Sequence, residues 1–110
     1  MIRSFADIDK SELRGTMRSV DSLGRILIPM EFRKELELEK DVKIEIEVLE
    51  DGMLIQTAQT AVGAAAQRRI DNLGRVNIPV AARRILGIAY HDELEIFLLR
   101  AGLFIRKKIA

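Results

Sequence analysis

The chain has 110 residues, and its 18 Lys/Arg against 17 Asp/Glu give a net charge of +1, so bulk charge alone does not argue for a polyanionic partner. The absence of cysteine excludes disulfides, thiolate metal sites and thiol nucleophiles. No apolar run reaches the length of a membrane span and the N-terminus lacks the basic-then-apolar order of a signal peptide, so a cytoplasmic protein with no membrane contact is expected.

Residues 1–16 form an N-terminal arm in which Phe5, Ile8, Glu12 and Leu13 are spaced for a short amphipathic helix. From residue 17 the chain repeats itself at an offset of fifty positions, residues 17–56 against 67–106 without a gap, and fourteen of the forty aligned pairs are identical. V-D-S-L-G-R-I-L-I-P at Val20–Pro29 becomes I-D-N-L-G-R-V-N-I-P at Ile70–Pro79. A unit of forty residues can hardly bury a core of its own, so the two copies are expected to share one, with each other or with a second chain.

Within each copy the local signals follow one order. An extended stretch (Met17–Val20, Gln67–Ile70) runs into a turn at Ser22–Gly24 or Asn72–Gly74, where glycine supplies a positive φ. A second strand, Arg25–Ile28 or Arg75–Ile78, stops at Pro29 or Pro79, a residue suited to a helix start. Phe32 and Leu36, or Ala82 and Leu86, then share a helical face, and Gly87 offers the second helix a stop. Val42, Ile44, Ile46 and Val48 alternate with charged residues as a half-buried strand, Asp51-Gly52 and Ala101-Gly102 turn the chain, and Met53–Ile55 and Leu103–Ile105 return. Each unit reads β-β-α-β-β. Residues 57–66, uncharged and aperiodic, read as a linker that reaches roughly 33 Å when extended. The predicted organisation is therefore an arm (1–16), a first repeat (17–56), a linker (57–66) and a second repeat (67–110), in a mainly β fold with short helices.

The repeat preserves cations as well as core residues: Arg18/Arg68, Arg25/Arg75, Arg33/Arg83 and Lys34/Arg84, with Arg69 added in the second copy. Arg18 and Arg25 stand at opposite ends of what reads as a tight hairpin, and Arg33 and Lys34 follow on the helix. Chain reversal between these segments would gather both pairs on one face, and a two-fold axis would double it into a stripe of about eight to nine cations, the footprint of phosphate contacts along a duplex. The competing reading is that the arginines solvate the surface or pair with Asp21, Asp71, Glu31 and Glu35. Charge is uneven: six Lys/Arg against ten Asp/Glu give −4 over residues 17–56, and seven against four give +3 over 67–106, so the second copy is expected to carry more of such a contact. Asp21 and Asp71 read as acceptors for turn amides or as orienters of the arginine four residues on. One carboxylate per copy is too few for a metal, and none is expected. His91, the single histidine, reads as solvated, and no carboxylate pair recurs near a plausible pocket, so neither catalysis nor a cofactor is expected.

The D-x-L-G-R-h-h-I-P-x-x-h-R-x-x-L pattern, with h apolar, resembles the hallmark of the AbrB/SpoVT/MazE family of swapped-hairpin DNA-binding domains, and it stands twice in the chain, with Asn77 at the second h of the second copy. The second copy is the closer match, continuing through R-R-I-L-G-I and D-E-L-E-I; the first departs after Leu36 with E-L-E-K-D-V-K. The resemblance implies a barrel of two β-β-α-β-β units with interleaved hairpins, as an intrachain pseudo-dimer or a homodimer. It implies a transcriptional regulator that contacts double-stranded DNA through Arg18, Arg25, Arg33, Lys34, Arg68, Arg75, Arg83 and Arg84. Alternatively, it implies the antitoxin of a toxin–antitoxin pair that represses its own operon, with residues 1–16 the segment available to hold a toxin. MraZ proteins carry similar tandem repeats on a longer chain with added helices.

Overall fold

The computed structural model describes residues 2–11, 13–57 and 66–108. Strands β1 (Arg14–Ser19) and β2 (Arg25–Leu27), helix α1 (Met30–Glu35), and strands β3 (Lys43–Val48) and β4 (Met53–Thr57) make the first half. Strands β5 (Ala66–Arg69) and β6 (Arg75–Asn77), helix α2 (Val80–Leu86), and strands β7 (Glu93–Leu98) and β8 (Leu103–Lys107) make the second. The fold is mainly β, with antiparallel sheets and two short helices. Of the stretch read as a linker, Thr57 closes β4 and Ala66 opens β5, and residues 58–65 lie outside the described residues. Among the described residues no helix is long and apolar enough to cross a membrane.

A six-stranded sheet runs β1-β7-β8-β4-β3-β5, and β2 and β6 form a separate two-stranded ribbon. This pairing corrects one expectation. The turn at Ser22–Gly24 forms, with Gly24 at φ +78 and its N–H donating to the Asp21 carbonyl at 3.1 Å, but the strands on either side do not pair with each other. β1 lies against β7, with Arg18 opposite Leu94, and β2 lies against β6, with Arg25 opposite Asn77. β5 likewise lies against β3 of the other half. A local hairpin would satisfy the same backbone groups while leaving each half with an inadequate core; exchange merges the two cores. The main cluster accordingly holds nine pairs related by fifty positions, from Val20/Ile70 and Ile26/Val76 through Ile44/Leu94 to Ile55/Ile105.

The period-two reading of β3 holds, with Ile44 and Ile46 buried between exposed Lys43 and Glu47. In β7 the alternation stops at Phe97, which occupies the place of Glu47 and is buried on the sheet's other side. Phe97, Phe104 and Ile8 form a second cluster against Ile2, Phe5, Leu13, Leu49 and Leu99. The arm is therefore packed on the protein's own sheet. Where the spacing would allow a short amphipathic helix, the arm makes a single 3-10 turn, Phe5–Asp7; Glu12 lies outside the described residues. Contacts distant in sequence hold it. The Phe5 N–H donates to Asp51 Oδ1 at 3.0 Å, the Glu50 N–H donates to the Arg3 carbonyl at 3.1 Å, and the Phe5 ring lies 5.0 Å from Phe97 with the Arg106 guanidinium 3.8 Å over it. So short a segment gains little from helical hydrogen bonds and follows its tertiary partners.

Gly87 ends α2 in the left-handed region at φ +66, as expected. The divergent E-L-E-K-D stretch of the first half keeps that backbone path with other residues: Glu37 stands at φ +56 where the second half has Gly87, and Asp41 (φ +68) matches His91 (φ +70). The latter bend is required because the Asp41 and His91 N–H groups donate to the Ile70 and Val20 carbonyls of the opposite half, at 2.9 and 2.8 Å. A side chain at positive φ costs on the order of 1–2 kcal/mol, partly offset by the larger unfolded-state entropy of glycine. Glu37→Gly should therefore stabilise the fold by about 0.5–1 kcal/mol in urea unfolding, and Gly87→Glu should destabilise it by a similar amount.

Candidate nucleic-acid interface

The ribbon is three residues long on each side, with Arg25 opposite Asn77, Ile26 opposite Val76 and Leu27 opposite Arg75. Ile26 and Val76 are fully buried, so strand alternation turns Arg25, Leu27, Arg75 and Asn77 to the other face. Two arginines from opposite halves thus share the outer face of one ribbon.

Each is held by the carboxylate four residues earlier. Asp21 Oδ1 accepts from the Leu23 and Arg25 N–H groups at 2.9 and 2.8 Å, and Oδ2 accepts from Arg25 Nε at 2.7 Å. Asp71 repeats the three bonds with Leu73 and Arg75 at 2.9, 2.8 and 2.7 Å. The carboxylate thus does both things foreseen for it: it closes the turn and orients the arginine. With Nε engaged, the terminal nitrogens of Arg25 and Arg75 carry no hydrogen bond among the described residues. The ion pairs themselves are partly exposed and worth little to stability; their consequence is orientation.

Burial alone would raise the Asp21 and Asp71 carboxyls, but the bonds from the backbone and side chain of Arg25 or Arg75, the Leu23 or Leu73 N–H and the arginine charge outweigh it and hold both below the ordinary 3.8. A carboxyl that binds its proton less readily in the folded state than in the unfolded one adds stability above the ordinary value, and that stability drains as pH falls through the lowered folded value. The double variant Asp21→Asn, Asp71→Asn should therefore lose stability relative to the parent at neutral pH. The difference between them should shrink below about pH 4 in urea titrations at several pH values.

Arg33 and Arg83 are drawn inward to brace this arrangement. Arg33 Nε donates to the Ile28 carbonyl at 2.9 Å and Arg83 Nε to the Ile78 carbonyl at 3.1 Å, tying each helix to the strand before it. Their guanidiniums lie against the turn glycines of the opposite half: a Cβ at Gly74 would overlap Arg33, and one at Gly24 would sit 2.9 Å from Arg83 Cζ. Those turns are also pinned by the Ile28 N–H to the Gly74 carbonyl and the Ile78 N–H to the Gly24 carbonyl, both 2.9 Å. Glycine is needed at both places, for its positive φ and for this close approach.

The other cations fall elsewhere. Arg18 and Arg68 lie on β1 and β5, the edges of the six-stranded sheet, and bond locally: Arg18 to Thr16 Oγ1 and the Met17 carbonyl, Arg68 to the Gln67 carbonyl. Arg69 donates to the Asp41 carbonyl at 3.0 Å. Lys34 and Arg84 are exposed on the helices. The structure brings Arg25, Arg75, Arg33 and Arg83 together around the ribbon and its turns. Sequence reasoning overlooked the apolar groups there: Leu23 and Leu73 at the turn tips are 62% and 58% exposed, and Leu27 is 40% exposed on the ribbon. A signal existed, since Leu23/Leu73 is one of the identical pairs of the repeat and turn tips favour polar residues.

Residues 17–61 match the family model of MazE, described as antidote-toxin recognition, bacterial antitoxin. The match covers the first half, including its turn, its Pro29 and the Asp21–Arg25 pair, and supports the AbrB/MazE resemblance seen in the sequence. No curated protein matches the chain. The structure is similar to the solution structure of PHS018 from Pyrococcus horikoshii, with a TM-score of 0.52 and 23% identity over 87% of this chain and 95% of that one. At that identity the likeness is one of fold.

Proposed function

We propose that this chain is a DNA-binding transcriptional regulator of the AbrB type, holding duplex DNA through the face that carries the β2–β6 ribbon. The observation behind this reading is that Arg25 and Arg75, one from each half, share the outer face of a single ribbon with Nε held by aspartate and the terminal nitrogens unbonded among the described residues. A guanidinium fixed in this way offers a two-pronged contact to phosphate or to a guanine edge, and a two-stranded ribbon is narrow enough for the major groove. Arg33 and Arg83 hold the turns, and Lys34, Arg84, Arg18, Arg68 and Arg69 extend the contact along the backbone. On this reading the repeats 17–56 and 67–110, joined by 57–66, close into one swapped-hairpin barrel as an intrachain pseudo-dimer, with 1–16 as an arm. The match to the MazE model over residues 17–61 supports it.

Titrating a duplex at several salt concentrations tests the proposal. Log affinity should fall linearly with log salt, by about 0.9 per phosphate neutralised, and an affinity indifferent to salt would overturn it.

A second reading, an antitoxin that also represses its own operon, draws support from the description of the matched family. The arm foreseen as the toxin-holding segment has Phe5 and Ile8 packed against Phe97 and Phe104, so that role would require it to peel away. Purification from the native host discriminates: a stoichiometric small partner favours the antitoxin.

A further inference from the structure

We infer that the ribbon reads its two DNA half-sites differently, through Leu27 on one side and Asn77 on the other, so that the preferred duplex site is not palindromic. This rests on the DNA-binding reading above and adds specificity-determining residues to it.

Around the ribbon the two halves are nearly copies. Asp21/Asp71, Leu23/Leu73, Gly24/Gly74, Arg25/Arg75 and Pro29/Pro79 are identical, and the Asp–Arg hydrogen bonds have the same lengths on both sides. The outward position between each arginine and its proline breaks the symmetry, being Leu27 in β2 and Asn77 in β6. The register then sets Arg25 beside Asn77 at one end of the ribbon and Arg75 beside Leu27 at the other. Directly opposed residues lie about 5 Å apart, so each arginine and its neighbour form one reading unit.

The two units differ in chemistry. Asn77 Nδ2 donates to the Leu23 carbonyl at 3.1 Å, which fixes the side-chain amide on the ribbon. One N–H and the Oδ1 acceptor are left, a pair that matches N7 and the N6 amino group of adenine. Leu27 has no hydrogen-bonding group and is 40% exposed, which suits the methyl of thymine and leaves a polar base edge unsatisfied. A two-fold protein with identical units would prefer two-fold DNA. Here Arg–Asn faces one half-site and Arg–Leu the other, so the protein has a direction on the duplex.

The test is selection from a random duplex library with the intact chain, sequencing of the retained pool, and affinity measurement on the selected site and on versions with either half-site inverted. The parent should enrich a non-palindromic site, and inverting one half should weaken binding by roughly five- to a hundredfold. Two variants at exposed positions remove the difference, Asn77→Leu giving two Arg–Leu units and Leu27→Asn giving two Arg–Asn units. Each should enrich a palindrome, and either suffices should the other fold poorly. A parent that enriches a palindrome, or binds duplexes without preference, overturns the asymmetric reading while leaving DNA binding standing. A parent that retains no duplex even at low salt overturns both.

Discussion

Replacing Arg25 and Arg75 together with alanine is expected to weaken duplex binding by roughly 2–4 kcal/mol and to lower the salt slope by about two. Both side chains leave the same ribbon face, and both are anchored at Nε by an aspartate that the substitution does not touch. Each turn retains its own support: Asp21 still accepts from the Leu23 and residue 25 N–H groups, and Arg83 still lies against Gly24. The fold should therefore persist, which circular dichroism will show, and the loss can be assigned to the interface. With the guanidiniums gone, the Asp21 and Asp71 carboxylates keep their turn amides but lose their balancing charge, and on the DNA-binding reading they would repel phosphate, so the double variant should lose somewhat more than two ordinary contacts. The Arg25→Lys, Arg75→Lys protein separates charge from geometry. Lysine restores most of the salt slope, but a single ammonium cannot engage aspartate and also present a fork, so affinity should recover only in part. Unchanged affinity in the alanine protein removes these two residues from the site.

Phe104→Ala should cost about 3–5 kcal/mol of stability, a third or more of what a domain of this size commonly has. The ring is fully buried, faces Phe97 on β7 and Leu54 on β4, and fills the space at Gly52, where an added Cβ would sit 2.5 Å from its Cζ. It thus sits on the β4–β8 seam joining the halves and lies 5.8 Å from the Phe5 ring of the arm. The arm should be released as well, which hydrogen exchange at residues 5–8 will report. Phe104→Leu, which installs the residue found at the equivalent Leu54, should cost distinctly less, about 1–1.5 kcal/mol. A loss under 1 kcal/mol for the alanine variant would mean that the seam and the arm do not depend on this ring.

Much of the local structure was legible in the residues. Pro29 and Pro79 precede the helices with φ of −54 and −56, Gly24 and Gly74 take the positive φ their turns need, and Ile44 and Ile46 face inward as their spacing requires. Each of these depends on one residue's dihedral preference or on a short apolar period. The site was legible to a lesser degree. The four-residue spacing of Asp21 and Arg25, and of Asp71 and Arg75, indicates the bonds the structure shows, but nothing near Arg33 in sequence indicates that it crosses to Gly74, some forty residues on. Nothing local marks Asn77, because its place is relational: it stands opposite Arg25 and where the other strand has Leu27.

From its residues alone this chain declared a doubled unit, the turns and helix starts within it, the buried side of β3, and a set of cations that recurs at fifty positions. Tertiary structure decided which strands meet, that β1 pairs with β7 and β2 with β6 rather than with each other, and with it which arginines share a face. The reason lies in the hydrogen bonding of sheets. Alternation specifies what a strand buries, but its backbone groups accept any partner of suitable register, and two copies of one pattern offer equivalent partners nearby and far away. What separates those choices is the apolar area enclosed when all the strands close at once, a property of the assembled chain that no single segment carries.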